Sequence, residues 1–145
     1  MTPSARERLR KQLIRHEGLR LFPYRDSVGK LTIGVGRNLD DVGLSFVECG
    51  LLLDHDITQA VIGCAQTWPQ WFLRLDEVRQ AAIVNIVFNM GLTRFRGFTR
   101  ALVALDTGDF ETAAAELLAS RWARQVGTRA RELAEQVRTG EWAPE

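Results

Sequence analysis

The sequence has no apolar run long enough to span a bilayer, and its charges nearly cancel, with a net charge of +1. The first excludes an integral helical membrane protein. The second removes any long-range bias of the whole chain toward nucleic acid or a lipid surface. The start, "MTPSARERLRKQLIRHEG", has no apolar segment of the kind a secretory signal carries, so synthesis in the cytosol is expected. Metal-ligand spacing is missing as well. There is no CxxC and no HExxH, and no metal or other cofactor is expected. "GVGRNL" lacks the third glycine of a dinucleotide fingerprint, and no parallel βαβ unit follows it. Repeats and flexible linkers are absent too.

Cysteine is scarce. Cys49 and Cys64 both fall in one expected helix, where fifteen residues at ~1.5 Å each separate them by ~22 Å. That is too far for a disulfide between them. Both are read as small apolar core residues of a reducing compartment.

What is present is an ordinary globular mix, 46% hydrophobic and 26% charged over 145 residues. The length suits one domain, or two small lobes sharing a core. Residues 3 to about 16 read as a helix, with Thr2 as N-cap, Pro3 at the first position and Gly18 as its stop. Its region is basic: Arg6, Arg8, Arg10, Lys11, Arg15 and Arg20 face only Glu7 and Glu17. A solvated helix face is the preferred reading, and an anionic partner the alternative. Residues 22 to 36 read as a hairpin turning at "SVGK". Its period of two sends Leu31, Ile33 and Val35 to the core. Thr32, Gly34 and Gly36 are left on a bare face that a ligand can approach.

"LSFVE" is a capping box, Ser45 with Glu48, and opens a helix over roughly 46–66 that "WPQW" breaks. "AAIVNIVFNM" marks a buried helix at 76–90, apolar nearly all round. "GFTRALVALDTG" is a short helix. "DFETAAAELLASRWARQ" reads as one helix capped by Asp109, and "GTRARELAEQVRTG" as a last one capped by Thr128. Trp68, Trp71, Trp122 and Trp142 are able to stack on sugars, but packing is preferred for each. The fold expected is α+β and mostly helical. A small lobe (about 15–45) with a β-hairpin is joined by a long helix (about 46–66) to a helical lobe (67–145), with the helix 3–16 packed on the latter.

One stretch carries chemistry: "RHEGLRLFPYRDSVGKLTIGVGRN". Glu17 ends a helix, where the dipole disfavours negative charge, and so suits a proton donor. Asp26 and Thr32 flank the hairpin turn. Two carboxyls able to converge, with a hydroxyl to orient a water, are the minimum for glycoside hydrolysis. Spacing alone makes this a weak signal.

The motif is more specific than the spacing. Glutamate, eight residues, aspartate, five residues, threonine, then "TIGVG" resembles the signature of the phage-type lysozymes, glycoside hydrolase family 24. The similarity continues through "LDEVRQAAIVNIVFNMG", "GFTRALVAL" and "AAAELLASRWARQVGTRARELAEQVRTGEW", covering nearly the whole chain. The resemblance implies a lysozyme-like fold and an endolysin. It would cleave the β-1,4 bond between N-acetylmuramic acid and N-acetylglucosamine of peptidoglycan, with inversion, and so cause host lysis. It implies Glu17 as acid, Asp26 as the opposing carboxylate that helps activate water, and Thr32 as the residue holding that water. Phe88, Asn89 and Arg129 become substrate-binding residues. It further implies a monomer with peptidoglycan as partner, no nucleic acid and no stable membrane association. The protein would be made in the host cytoplasm and act in the periplasm after a holin permeabilises the membrane. Rivals are a peptidoglycan-binding protein without hydrolysis and an adaptor using the basic N-terminal face. Two local expectations complete the reading. Arg37, where the family often has histidine, should pair with Asp56. The short connection "NLDDVGLS" should leave no room for an extra strand or short helix.

Overall fold

The structure is a computed structural model and describes residues 1–144. The order of elements is α1 (Pro3–Glu17), β1 (Arg20–Arg25), β2 (Leu31–Gly34), β3 (Arg37–Asn38), α2 (Phe46–Thr67) and a 3₁₀ turn (Phe72–Arg74). There follow α3 (Glu77–Met90), α4 (Leu92–Arg96), α5 (Thr99–Thr107), α6 (Phe110–Leu118), α7 (Arg121–Val126) and α8 (Thr128–Thr139). The fold is α+β and mostly helical, with a small antiparallel sheet near the N-terminus. The chain divides into two compact units whose boundary, after Leu51, falls inside α2.

In the first unit, α1 starts and stops as its sequence dictates. The Thr2 hydroxyl accepts from the Ala5 N–H at 3.2 Å, Pro3 opens the helix, and Gly18 closes it at φ 79°. The sheet has order β1-β2-β3. β1 pairs with β2 through Tyr24↔Thr32 and Arg25↔Leu31, and β2 pairs with β3 through Thr32↔Asn38 and Ile33↔Arg37.

Three expectations fail here. A third strand forms, because a two-residue strand needs little chain and the Leu39 N–H still reaches Leu31 O at 2.7 Å. Leu31, Ile33 and Val35 are only half-buried, whereas Thr32 is buried at 3% exposure. Thr32 sits in the middle strand with a cross-strand partner on each side, and neighbours at that spacing shield a short side chain. Cys49 is exposed rather than in the core.

The capping box forms as read. The Glu48 carboxylate accepts from the Ser45 N–H and hydroxyl, each at 2.8 Å, and the Ser45 hydroxyl accepts from the Glu48 N–H at 3.2 Å. Arg37 completes this joint, donating to Glu48 and to the Gly43 carbonyl. The expected Arg37–Asp56 pair is replaced by Arg37–Glu48. Connection 39–45 is short enough to bring the first turn of α2 beside β3, and Asp56 lies ~12 Å further along the helix.

The second unit holds the hydrophobic core. Helix α3 contributes Ala82, Ile83, Val84, Ile86, Val87 and Met90. Cys64 is fully buried, and burial pushes its thiol up to about 12, which keeps it an inert core residue. Trp68 stacks on Trp71 at 5.5 Å and meets Phe95 edge-on at 5.4 Å. Trp122 is buried as well, but Trp142 is 64% exposed, against the packing role expected for it.

The single helix read over 109–125 is two. Ser120 interrupts it, accepting from the Ala123 N–H at 3.1 Å while its own hydroxyl donates to Leu117 O at 2.6 Å. A serine that satisfies both helix ends makes the break cheap. Helix α8 starts at Thr128, but Thr128 is not its cap. Gly127 holds that place, and no side chain caps the helix. The end of α8 is secured by Arg79, which donates to Val137 O at 2.8 Å and Arg138 O at 3.1 Å and lies over the Phe110 ring at 3.8 Å.

Candidate active site

Helix α1 delivers Glu17 as its last residue. The carboxyl comes to rest against the β2–β3 turn. A β-carbon on Gly36 would stand 3.1 Å from Glu17 Oε2, and Gly36 has φ +70°. The backbone conformation therefore favours glycine there, and any β-carbon would displace the carboxyl by a few tenths of an ångström. Glu17 itself is exposed.

Asp26 follows the last residue of β1 and anchors the turn. Its Oδ1 accepts from Val28 N–H at 2.9 Å and from Lys30 N–H at 2.8 Å. The Asp26 N–H donates to Lys30 O at 2.9 Å, and Gly29 N–H donates to Asp26 O at 3.0 Å. Its Oδ2 has no hydrogen-bond partner among the described residues. The Thr32 hydroxyl donates to Lys30 O at 3.0 Å, which leaves its oxygen free to accept.

Lys30 thus joins the two. Its N–H holds the Asp26 carboxylate and its carbonyl takes the Thr32 hydroxyl. The residue is held in turn from the connection to α2. Its ammonium meets Asp41 at 2.8 Å, and that hydrogen bond raises the Lys30 pKa and lowers that of Asp41. Asp41 also accepts from Asn38 at 2.9 Å, and the neighbouring Asp40 accepts from the Leu31 N–H at 2.9 Å. Lys30, Asp40 and Asp41 were missed in the sequence, and Gly36, read as part of a bare face open to a ligand, instead receives the Glu17 carboxyl. The adjacent acids in "NLDD" were the available signal, since such residues favour bonds to nearby backbone.

The remaining site residues lie in the second unit. Phe88, 47% exposed, and Arg129 line one groove of about 480 Å³ together with Leu53, Ile57 and Val84. Arg129 is fixed by Asn85, whose Oδ1 accepts from it at 2.6 and 3.0 Å. Asn89 does not join them. Its Oδ1 accepts from the Trp122 indole N–H at 2.8 Å.

A carboxyl delivered by a helix end to a sheet that carries a second carboxylate and an accepting hydroxyl is equipped for acid–base cleavage of a glycosidic bond. Comparison with known proteins agrees with that class. The phage lysozyme family model matches residues 14–139. The SAR-endolysin of Escherichia phage Mu is 32% identical over 126 residues, covering 83% of this chain and 69% of that protein. The probable T4-type lysozyme 1 of Dictyostelium discoideum is 26% identical over 152 residues, covering 86% and 89%. The SAR-endolysin of Bacteriophage PS119 is 32% identical over 110 residues, covering 73% and 62%. The chain belongs to the phage lysozyme family. It is a glycoside hydrolase of the lysozyme class, acting on peptidoglycan.

Proposed function

We propose that the protein is an endolysin that hydrolyses the β-1,4 bond between N-acetylmuramic acid and N-acetylglucosamine. Glu17, protonated, gives its proton to the glycosidic oxygen as the bond to the anomeric carbon breaks. Asp26 stabilises the cationic sugar and, through Oδ2, takes a proton from the attacking water. That water donates its other proton to the Thr32 oxygen. Attack from the face opposite the leaving group inverts the anomeric centre. Phe88 and Arg129 contact the glycan, as does the Asn89 amide nitrogen, whose oxygen is already held by Trp122.

The observation carrying this reading is the shared support of the site. The Lys30 peptide ties Asp26 to Thr32, and Gly36, just beyond β2, makes room for the Glu17 carboxyl. The test is muropeptide analysis of digested peptidoglycan. Wild type should release fragments with reducing-end muramic acid, and Glu17→Gln should lower the rate by about a hundred- to ten-thousandfold, the size of a general-acid contribution. Full activity in Glu17→Gln would remove the acid assignment.

Among the described residues no helix is long and apolar enough to cross a membrane. The proposal extends to a monomer made in the host cytoplasm that reaches the periplasmic wall once a holin has opened the membrane. Clearing of intact Gram-negative cells by purified protein, without a permeabiliser, would refute that route.

A further inference from the structure

The last turns of α8 and the chain beyond it border a second groove, of about 530 Å³. None of the residues assigned to catalysis or substrate contact lines it. Its walls carry Glu132, Glu135, Gln136, Thr139, Glu141 and Trp142. Gln136 is the unusual member. It is only 5% exposed, and its side-chain amide has no hydrogen-bond partner among the described residues. Yet no fully buried side-chain polar atom among those residues is left unpaired. The amide atoms of this buried residue therefore emerge at the groove, where a ligand can meet them.

The other groups fall into two sets. Thr139 is spent locally, donating to Glu135 O at 2.9 Å and accepting from Glu141 N–H at 3.1 Å. The Glu135 carboxylate is taken by Arg138 at 2.9 Å, and that bond lowers its pKa. The Glu132 and Glu141 carboxylates have no partner among the described residues. The indole of Trp142 is 64% exposed, a large apolar surface for a chain to leave in water.

We propose that this groove is a non-catalytic binding site for a neutral N-acetylhexosamine unit of a glycan strand. An amide both donates and accepts, as an acetamido group requires. A flat indole presents an apolar face to the C–H face of a pyranose. The two unpaired carboxylates accept from sugar hydroxyls. The same carboxylates repel the acidic stem peptides of peptidoglycan, so the groove selects the sugar. This site rests on the lysozyme reading for its choice of polymer and would let the enzyme hold its insoluble substrate between cuts.

The test is a ¹⁵N-correlated NMR titration with chitotetraose. The Trp142 indole N–H and the Gln136 side-chain NH₂ should shift saturably. Trp142→Ala, at an exposed position, should abolish the Gln136 shift and cut retention on purified sacculi severalfold, while the rate on short soluble strands stays at the wild-type level. Gln136→Leu, which keeps the volume, should weaken binding in the same direction. Absence of shifts at both residues up to millimolar sugar would overturn the proposal. So would equal shifts from a free stem tripeptide. Hydrolysis of purified sacculi by wild type is scored in parallel: saturable shifts without any cleavage of the sacculi would uphold the groove and sink the enzymatic reading instead.

Discussion

At the scale of single residues, the proposed site sets one glycine directly against its acid. Gly36 combines a positive φ with a β-carbon position 3.1 Å from Glu17 Oε2. Gly36→Ala should therefore destabilise the protein by about 1 kcal/mol or more and push the Glu17 carboxyl aside. Thermal melting and the rate of wall lysis measure the two effects separately. Activity should fall at least tenfold even where the protein is fully folded. A folded Gly36→Ala protein with wild-type lysis would show that the close approach has no functional weight.

At the scale of elements, the entry to α2 is an acid-sensitive joint. The Ser45 N–H and hydroxyl, followed by the Arg37 guanidinium, hold the Glu48 carboxyl down at about 2, against an ordinary 4.5. A depressed carboxylate pKa stabilises the fold above the unfolded value and loses that contribution as pH falls through the folded one. Stability supplied by Glu48 should thus be complete above pH 4.5 and vanish toward pH 2. Glu48→Gln should flatten the melting temperature against pH over that window. An unchanged profile would mean that the joint does not form in solution. The joint also shows where sequence reasoning stopped. Ser45 and Glu48 announced the capping box by their spacing, but nothing local indicated that Arg37 would join it. The partner of a long flexible cation depends on how the intervening chain turns. Residues 39–45 brought Glu48 rather than Asp56 within reach.

At the scale of the molecule, the apolar core runs from Cys64 to Val137 and lies wholly in the second unit. In residues 1–51, Thr32 is the buried residue, while Leu21, Phe22 and Phe46 are each more than three-quarters exposed. A 51-residue segment without a buried apolar cluster cannot offset its conformational entropy. A fragment of residues 1–51 should therefore be unfolded by circular dichroism, and one of residues 52–145 should keep its helices and melt cooperatively. A cooperatively folded 1–51 fragment would contradict this.

The sequence by itself determined those helix termini that one side chain caps on the nearest N–H groups or a glycine stops, because that is a local matter; the break at Ser120 and the uncapped start of α8 were not legible. Thr2, Gly18, Ser45 and Asp109 act where they stand. It also determined the family, through the spacing of Glu17, Asp26 and Thr32 within a specific motif. Only the tertiary structure decided what surrounds them. Thr32 is enclosed by its two neighbouring strands, Lys30 links it to Asp26, and Gly36 gives way to Glu17. It also decided that Trp142 stands in solvent while Trp68, Trp71 and Trp122 do not. Such outcomes depend on strand pairing and on chain returning from a distance. Residue spacing carries local geometry, and these contacts are not local.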